Sequence, residues 1–177
     1  MTSMNEKQFA EAGLSSQAAG WVKNLGLQRH PEGGYFAEVY RADGLISGSA
    51  LLEHGGSRPY LTSIYFMLSP GDLSRFHRLK SDEIWYHHCG GGLNIHQIDT
   101  QGSHSVFRLG NNLAAGESLQ VIIKAGCWFG AVVAGDEEAL VGCAVAPGFD
   151  FADFELATRA KLLAQYPQHE KIINQLA

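Results

Sequence analysis

Short apolar runs separated by turn residues fill the middle of the chain. From Gly34 to about Val145 these runs are rich in Val, Ile, Phe and Tyr, and Gly, Asn, Asp or Pro residues interrupt them. They predict nine β-strands: YFAEVY (35–40), YLTSIYFML (60–68), LSRFHRL (73–79), EIWYHHC (83–89), LNIHQID (93–99), SVFRL (105–109), LQVII (119–123), CWFGAVV (127–133) and ALVGCAV (139–145). No long helical pattern separates the runs, so the sequence favours an antiparallel sandwich or barrel over a parallel sheet with crossover helices.

Helical patterns flank the predicted barrel at both ends. Ser3 and Glu6 have the spacing of a capping box, and an apolar stripe indicates a second short helix through Leu14, Ala18, Val22 and Leu25. After Pro147 the aromatic segment FDFADF (149–154) leads into a helical tail. The apolar face of the tail carries Leu156, Ala160, Leu163, Ile172, Ile173 and Leu176. We expect this tail to cap the barrel.

The 177 residues fit one domain. We divide the domain into a helical N-terminal segment (1–28), a β-barrel (34–146) and an aromatic loop with a helical tail (147–177). The glycine-rich loop from Asp43 to Pro59 is the segment expected to be mobile, and it could act as a lid.

Composition excludes several classes of protein. With 45% hydrophobic and 18% charged residues, the chain lies outside the composition of disordered proteins. A net charge of −5 has the wrong sign for binding nucleic acid. The chain has neither a basic segment followed by an apolar run at its start nor an apolar stretch of about 18 residues that could span a bilayer. We therefore expect no nucleic-acid or membrane partner and a cytoplasmic location. Cys89, Cys127 and Cys143 are predicted to be buried thiols rather than a disulfide or zinc cluster.

Potential chemistry is concentrated between Gly71 and Gly90. Arg75 and His77 share a parity on one predicted strand, while Glu83, Trp85 and His87 share a parity on the next, so each set can face one side of a sheet. If that side is the barrel interior, a basic group, an imidazole and a carboxyl group meet in one cavity. Such an imidazole suits either a general base or a metal ligand.

The spacing of Gly71, His77, Glu83 and Gly90 resembles the first motif of the cupins. Cupins are all-β proteins built as a double-stranded β-helix, a jelly-roll barrel, so the resemblance implies that fold with short helices at both termini. The usual first motif has a second histidine two residues after the first, where this chain has Leu79.

The second cupin motif is present in weakened form as GESLQVIIKAGCWF (116–129). Lys124 replaces the usual proline, and Phe129 stands where a histidine ligand would be. HPEGGYF (30–36), SRFHRLKSDEIWYH (74–87) and LVGCAVAPGFDFADFELA (140–157) are similar to one cupin branch of uncharacterised function, often described as predicted sugar epimerases. The similarity runs from about Leu14 to Leu176.

The resemblance implies a metal-independent epimerase or isomerase that acts on a small polar ligand, carbohydrate-like or a sugar nucleotide. His77 is the expected base and Glu83 would orient it or stabilise its protonated form. Tyr65 is the expected acid, with Tyr35 and Tyr86 as alternatives.

Further residues are expected to bind substrate. Arg75 or Lys80 would stabilise an enolate or bind a substrate anion. Trp85, Trp128, His87 and Tyr35 would line the pocket, although large aromatic residues in a small barrel are also ordinary core. Glu32, in the turn formed by HPEGG, can reach the cavity mouth.

Three alternatives remain open at this level. His77 can be a structural histidine hydrogen-bonded to Glu83. A divalent metal can be held by His77, Glu83 and further ligands, although we expect no cofactor because two protein ligands hold such an ion poorly. The barrel can also bind or sense a ligand without turnover. In each case we expect a homodimer, since small open barrels commonly pair their edge strands.

Overall fold

The computed structural model describes residues 13–177. The capping box predicted at Ser3 and Glu6 lies outside the described residues. These residues contain three α-helices: α1 (Ser16–Leu25), α2 (Arg159–Gln165) and α3 (Glu170–Leu176). Four 3-10 turns lie at Gly48–Ala50, Leu113–Ala115, Phe151–Asp153 and Pro167–His169. None of the described helices is long and apolar enough to cross a membrane.

All nine predicted strands are present, together with four strands of two residues each. In chain order the strands are β1 (Gln28–Arg29), β2 (Tyr35–Arg41), β3 (Leu45–Ile46), β4 (Arg58–Pro59), β5 (Thr62–Leu68), β6 (Leu73–Arg78), β7 (Asp82–Gly90), β8 (Leu93–Ile98), β9 (His104–Leu109), β10 (Gln120–Ile123), β11 (Trp128–Val133), β12 (Ala139–Ala146) and β13 (Glu155–Leu156). Strands β1, β3, β4 and β13 were not predicted, because two residues are too few to show a period-2 pattern.

The strands form two antiparallel sheets that face each other. The larger sheet has the order β1-β2-β5-β12-β7-β10, and the smaller has the order β13-β6-β11-β8-β9. From β5 to β12 the chain passes repeatedly from one sheet to the other, which confirms the predicted jelly-roll barrel. The main apolar cluster lies between the sheets and includes Phe66, Trp85, Ile95, Phe129 and Val141.

Helices cover the outer faces of both sheets. Ala18 and Val22 of α1 pack against Tyr35 and Met67 on the outside of the larger sheet. The tail helices α2 and α3 pack against a second outer cluster, which contains Phe76, Ile98 and Trp128 of the smaller sheet. The tail was expected to cap the barrel; it covers the outer face instead, because these three apolar side chains point away from the interior and need cover.

The loop from Asp43 to Pro59 folds into the strand pair β3–β4 and a 3-10 turn. Its Arg58 is buried, and it donates from Nε to Asp153 Oδ2 (2.6 Å) and from Nη2 to Asp153 Oδ1 (2.8 Å). This bidentate pair fastens the loop to the aromatic segment 149–154. No residue of 43–59 lines the barrel cavity, so this loop is not placed to act as the expected lid. The aromatic segment 149–154 lines the cavity instead.

We predict that Asp153→Asn lowers the free energy of unfolding by about 3–5 kcal/mol, because it leaves the Arg58 guanidinium buried without its counter-ion. Urea unfolding followed by tryptophan fluorescence measures this. The matched control is Glu155→Gln, which breaks the half-exposed pair with Arg78 (2.6 Å) and should cost less than about 1 kcal/mol. Equal effects of the two variants would contradict the prediction.

Candidate functional site

A cavity of about 350 Å³ lies inside the barrel between the two sheets. Four ionisable side chains surround its buried part: His30, Glu32, His77 and Glu83. Six aromatic rings form much of the wall: Phe36, Phe66, Trp85, Phe149, Phe151 and Phe154. Glu38, Arg41 and Asp150 line the cavity where the barrel meets solvent. The cavity therefore combines a mostly apolar wall with a small polar centre.

The turn before β2 holds Glu32 in this centre. Gly33 and Gly34 have φ of +118° and +68°, and a Cβ on Gly33 would lie 2.0 Å from the carbonyl oxygen of Leu73. Only glycine permits this close approach, which carries the turn into the barrel. Arg75 holds the same turn from β6: its backbone N–H and its Nε donate to the Glu32 carbonyl oxygen, and its Nη2 donates to that of Pro31.

A β-bulge in β6 decides which of its side chains enter the cavity. Phe129 pairs with His77 but Ala131 pairs with Ser74, so β6 has one residue more than β11 across this stretch. As a result Ser74 and His77 are both buried, whereas Arg75 is exposed. Arg75 and His77 were expected to face the same side of the sheet because of their spacing. The bulge makes that expectation wrong. Arg75 positions the Glu32 turn and does not line the cavity.

Glu32 and His77 form a buried close pair. His77 Nε2 lies 3.2 Å from Glu32 Oε2, and Ser74 Oγ donates to Glu32 Oε1 at 2.8 Å. His77 Nδ1 lies 2.8 Å from the Arg75 carbonyl oxygen, which can only accept. The Nδ1 atom therefore carries a proton, and in the neutral ring the unprotonated Nε2 lies beside the Glu32 carboxyl. The structural alternative of a bond between His77 and Glu83 is replaced by this pair.

Burial favours the neutral forms of both partners. It lowers the pKa of His77 from 6.5 to about 4, and it raises the pKa of Glu32 from 4.5 to about 7. The imidazole is therefore neutral near pH 7, and the Glu32 carboxyl ionises close to that pH. Once Glu32 ionises, its carboxylate and the unprotonated Nε2 lie 3.2 Å apart and together form a basic site.

Glu83 reaches the cavity from the opposite sheet. On β7 it pairs with Val145 of β12 and Ile123 of β10. Burial and the nearby Glu32 carboxyl raise the pKa of Glu83 to about 8, although the Cys143 thiol donates to it. Glu83 is therefore mostly protonated at neutral pH and can give up a proton.

His30 is a site residue that sequence reasoning missed. Its Nδ1 accepts from the Glu32 backbone N–H at 3.3 Å and lies 3.5 Å from Glu32 Oε2. Burial lowers the pKa of His30, so its ring is neutral. The HPEGG segment contained the signal, because it places a histidine two residues before a glutamate beside two glycines. The sequence shows Phe149 and Phe154 as part of an aromatic segment without indicating a place in the site, yet both line the cavity.

Three expected site residues lie on the outer face of the larger sheet. Tyr65 packs edge-on against His88, with ring centroids 5.6 Å apart, whereas its neighbours Ile64 and Phe66 line the cavity. Strand alternation thus removes Tyr65 from the site, and it cannot be the acid there. Tyr35 is buried outside the barrel under Arg29, and the alternative Tyr86 is on the outer face opposite Gly142.

The remaining expected binding residues also lie elsewhere. Trp128 packs on the outer face of the smaller sheet, with the Arg78 guanidinium 4.6 Å from its ring centroid. Lys80 is exposed, with Nζ 3.6 Å from Asp153 Oδ1. His87 bonds the Gly91 carbonyl oxygen (3.1 Å) beyond the cavity wall. The structure therefore brings together His77, Glu83, Trp85 and Glu32 and separates the others from them.

Comparison with protein families decides the membership of the chain. The family described as "Cupin superfamily (DUF985)" matches residues 19–157. The chain belongs to this cupin family. A search of curated proteins found no match.

Solved structures of similar cupins extend over nearly the whole chain. A hypothetical protein from Leishmania major is 39% identical, with a TM-score of 0.83, over 90% of this chain and 98% of its own. A protein from Shewanella oneidensis is 42% identical, also with a TM-score of 0.83, over 90% and 96%. Oxalate decarboxylase from Bacillus subtilis is 18% identical over 84% of this chain and 36% of its own, with a TM-score of 0.53, which shows a shared fold alone.

The residues of this cupin do not fit the metal centre that the superfamily commonly holds. Leu79 and Phe129 occupy two of the four ligand positions, and the Phe129 ring packs against His77 at a tilt of 57°, with centroids 4.0 Å apart. His77 Nδ1 is hydrogen-bonded to the Arg75 carbonyl oxygen, and Nε2 lies 3.2 Å from Glu32 Oε2. Within residues 13–177, no three His, Cys, Asp or Glu side chains are arranged to hold a metal ion.

We predict that Leu79→His combined with Phe129→His creates a metal site, because it restores histidine to the two positions beside His77 and Glu83. Elemental mass spectrometry, on protein purified without chelators, should find about one divalent ion per chain in the double variant and no stoichiometric metal in the native chain. Stoichiometric metal in the native chain that is lost in His77→Ala would contradict this account of the site.

We also predict that stability falls as pH rises from 6.5 to 8. Glu32 and Glu83 keep their protons in the folded state to pKa values of about 7 and 8, against about 4.5 when unfolded. Each carboxyl then lowers the free energy of unfolding by at most about 1.4 kcal/mol per pH unit. The lowered pKa values of His30 and His77 act only below pH 6.5. Urea unfolding at several pH values should show a weaker slope for Glu83→Gln; an unchanged slope would contradict the prediction.

The control for this experiment is Glu137→Gln. Glu137 is exposed and outside the cavity, so its replacement should leave the pH slope unchanged.

Proposed function

We propose that this cupin is an epimerase or isomerase that moves a proton on a small, polar, carbohydrate-like molecule without a metal ion. One observation carries the proposal: the buried Glu32–His77 pair and Glu83, whose pKa is raised to about 8, line one cavity from different sides. His77 is on the smaller sheet and Glu83 on the larger. Epimerisation next to a carbonyl needs a base and an acid on opposite faces of the substrate, and this arrangement supplies them.

The pair and Glu83 exchange roles in a balanced sequence. The ionised Glu32–His77 pair removes the proton from a carbon next to a carbonyl, and an enolate forms. Glu83 then gives its proton to the opposite face of that carbon and becomes a carboxylate. The proton on the pair returns to Glu83 through solvent or through product release, so no oxidant or reductant is consumed.

Trp85 supports the enolate in this scheme. Its Nε1 is buried and makes no hydrogen bond of good geometry among the described residues, although its interaction with Glu83 counteracts part of the rise in the pKa of that carboxyl. A weakly satisfied buried donor can bind a developing negative charge on the substrate oxygen. Trp85 thus has a role in the site, whereas the expected Arg75 and Lys80 lie outside the cavity.

Exchange of a carbon-bound proton with solvent tests the proposal without knowledge of the product. We would incubate neutral, amino-substituted and phosphorylated aldoses and ketoses with the protein in D₂O and follow the loss of C–H signals by NMR. The native chain should catalyse exchange for at least one of them. His77→Asn, Glu32→Gln and Glu83→Gln should each slow it by about 10²–10⁴-fold while the fold, checked by circular dichroism, is kept.

Tyr65→Phe distinguishes this site from the one expected from sequence. Because Tyr65 is on the outer face, this variant should exchange at the native rate. The rate should also peak between pH 7 and 8, where Glu32 is ionised and Glu83 is protonated according to their raised pKa values. Full activity in Glu32→Gln, or tight binding of a sugar without exchange, would overturn the enzyme proposal; the second result would favour a ligand-binding barrel.

A further inference from the structure

The ionisable groups around the cavity are mostly acidic. Four carboxyl groups line it within the described part of the chain: Glu32, Glu38, Glu83 and Asp150. Arg41 is the one lysine or arginine among the described lining residues. Its guanidinium is engaged by Glu38, from Nη2 to Oε2 at 2.6 Å and from Nε to Oε1 at 3.0 Å, and it also donates to the Phe149 carbonyl oxygen. The cavity therefore offers an anionic ligand little attraction.

Glu32 and Glu83 lack a cationic partner of their own. Both are buried, and the side chains that contact their carboxyl groups are Ser74, His30, His77 and Cys143, of which none is a lysine or arginine. The Arg75 guanidinium attracts the Glu32 carboxylate, but its Nε and Nη2 donate to the carbonyl oxygens of Glu32 and Pro31 and form no ion pair with the carboxyl. A buried carboxylate is costly unless a cation pairs with it, which is why burial raises the pKa of each carboxyl. A ligand that brings a positive charge would remove this cost.

The wall of the cavity suits the same kind of ligand. Phe149, Phe151 and Phe154 stand edge-on to one another, with ring centroids 5.0–6.2 Å apart, where the cavity opens. Phe151 is 58% exposed, so part of this cluster is available to an incoming molecule. Aromatic faces attract cations through their quadrupole, and the attraction grows when water is excluded.

We propose that the substrate of this cavity is a small cation: a molecule of single-ring size that carries an ammonium group, and not a phosphate or a sugar nucleotide. The unpaired buried carboxyls, the engaged Arg41 and the aromatic wall carry this inference. It deepens the proposed function, on which it rests, by naming the charge of the substrate. A cavity of about 350 Å³ accommodates such a ring.

Matched probes that differ only in charge test the inference through binding alone. Choline is compared with its uncharged isostere 3,3-dimethylbutan-1-ol, and glucosamine with glucose and glucose 6-phosphate, by isothermal titration calorimetry at pH 7.5. We expect each cation to bind at least about 10-fold more tightly than its neutral partner, and the phosphate to bind more weakly than glucose.

Variants connect the preference to the acidic groups. Glu83→Gln keeps the size of the side chain and should reduce the preference for cations several-fold. Asp150→Asn, at the exposed mouth, provides a second variant if the first is unstable. Glu137→Gln, which is exposed and outside the cavity, should keep the native preference.

Proton release is a second readout. Titrations in two buffers of different ionisation enthalpy should show that choline, but not its neutral isostere, displaces protons from the native protein. The groups that face Glu83 and can contribute are Glu32, His30, His77 and Cys143, with Glu38, Arg41 and Asp150 at the mouth. Loss of proton release in Glu83→Gln would identify that carboxyl as the source.

Several outcomes overturn the inference: equal binding of the charged and neutral partners, tighter binding of glucose 6-phosphate, or no binding of either cation at millimolar concentration. Its failure is separate from that of the proposed function. Solvent exchange on a neutral sugar with no preference for cations would leave the enzyme proposal standing. Strong cation binding without exchange on any sugar would leave this inference standing alone.

Discussion

The burial of Glu32 beside His77 is the constraint on which the site depends. It places a carboxyl and an imidazole 3.2 Å apart inside an apolar barrel, where neither can carry a charge without cost. Both groups are therefore held towards their neutral forms. The surrounding structure fixes their positions, because Ser74 holds one carboxyl oxygen and the Arg75 carbonyl fixes the tautomer of the ring. The same burial brings the ionisation of Glu32 close to neutral pH.

The rest of the fold concentrates this polarity in one place. The outer faces of both sheets are covered by helices, and the interior beyond the cavity is filled by apolar side chains. The aromatic segment lines the mouth of the cavity, and the Arg58–Asp153 pair anchors it to the strand pair β3–β4. The burial that raises the pKa values of Glu32 and Glu83 therefore depends on the packing of the whole barrel.

Phe129 differs from the residue that is usual at its position in cupins, and this difference affects the surroundings of His77. In a cupin with the usual second motif a histidine ligand would occupy its position. Here the ring packs against His77, whose burial lowers its pKa by desolvation. Leu79 extends the apolar wall of the cavity. The two apolar residues that stand in ligand positions thus also contribute to the apolar surroundings of the carboxyl and the imidazole.

The sequence by itself determined the barrel, the nine long strands, the family resemblance, and the placement of His77 and Glu83 in one cavity. These follow from local periodicity and from spacing along the chain, which the backbone transmits directly to the sheet. It also showed that Leu79 and Phe129, whose hydrocarbon side chains cannot coordinate a metal, stand at two ligand positions. The sequence suggested Glu83 as the partner of His77 and Tyr65 as the acid, whereas the structure places Glu32 beside His77 and Tyr65 outside the cavity. Residue spacing predicts a shared face only in an unbroken strand, and it does not indicate which face of β5 points inward.

Only the tertiary structure decided that Glu32 enters the barrel, that Arg75 leaves it and that Tyr65 lies outside. A bulge of one residue in β6 turns the side chains that follow it. The turn at Gly33 joins β1 and β2 of the larger sheet and approaches Leu73 of β6 in the smaller sheet, which brings Glu32 next to His77 although the two are 45 residues apart in the sequence. Contacts of this kind join residues that are distant in the chain through the packing of two sheets. The alternation of residues within a strand does not predict these contacts, because they depend on how the two sheets pack against each other.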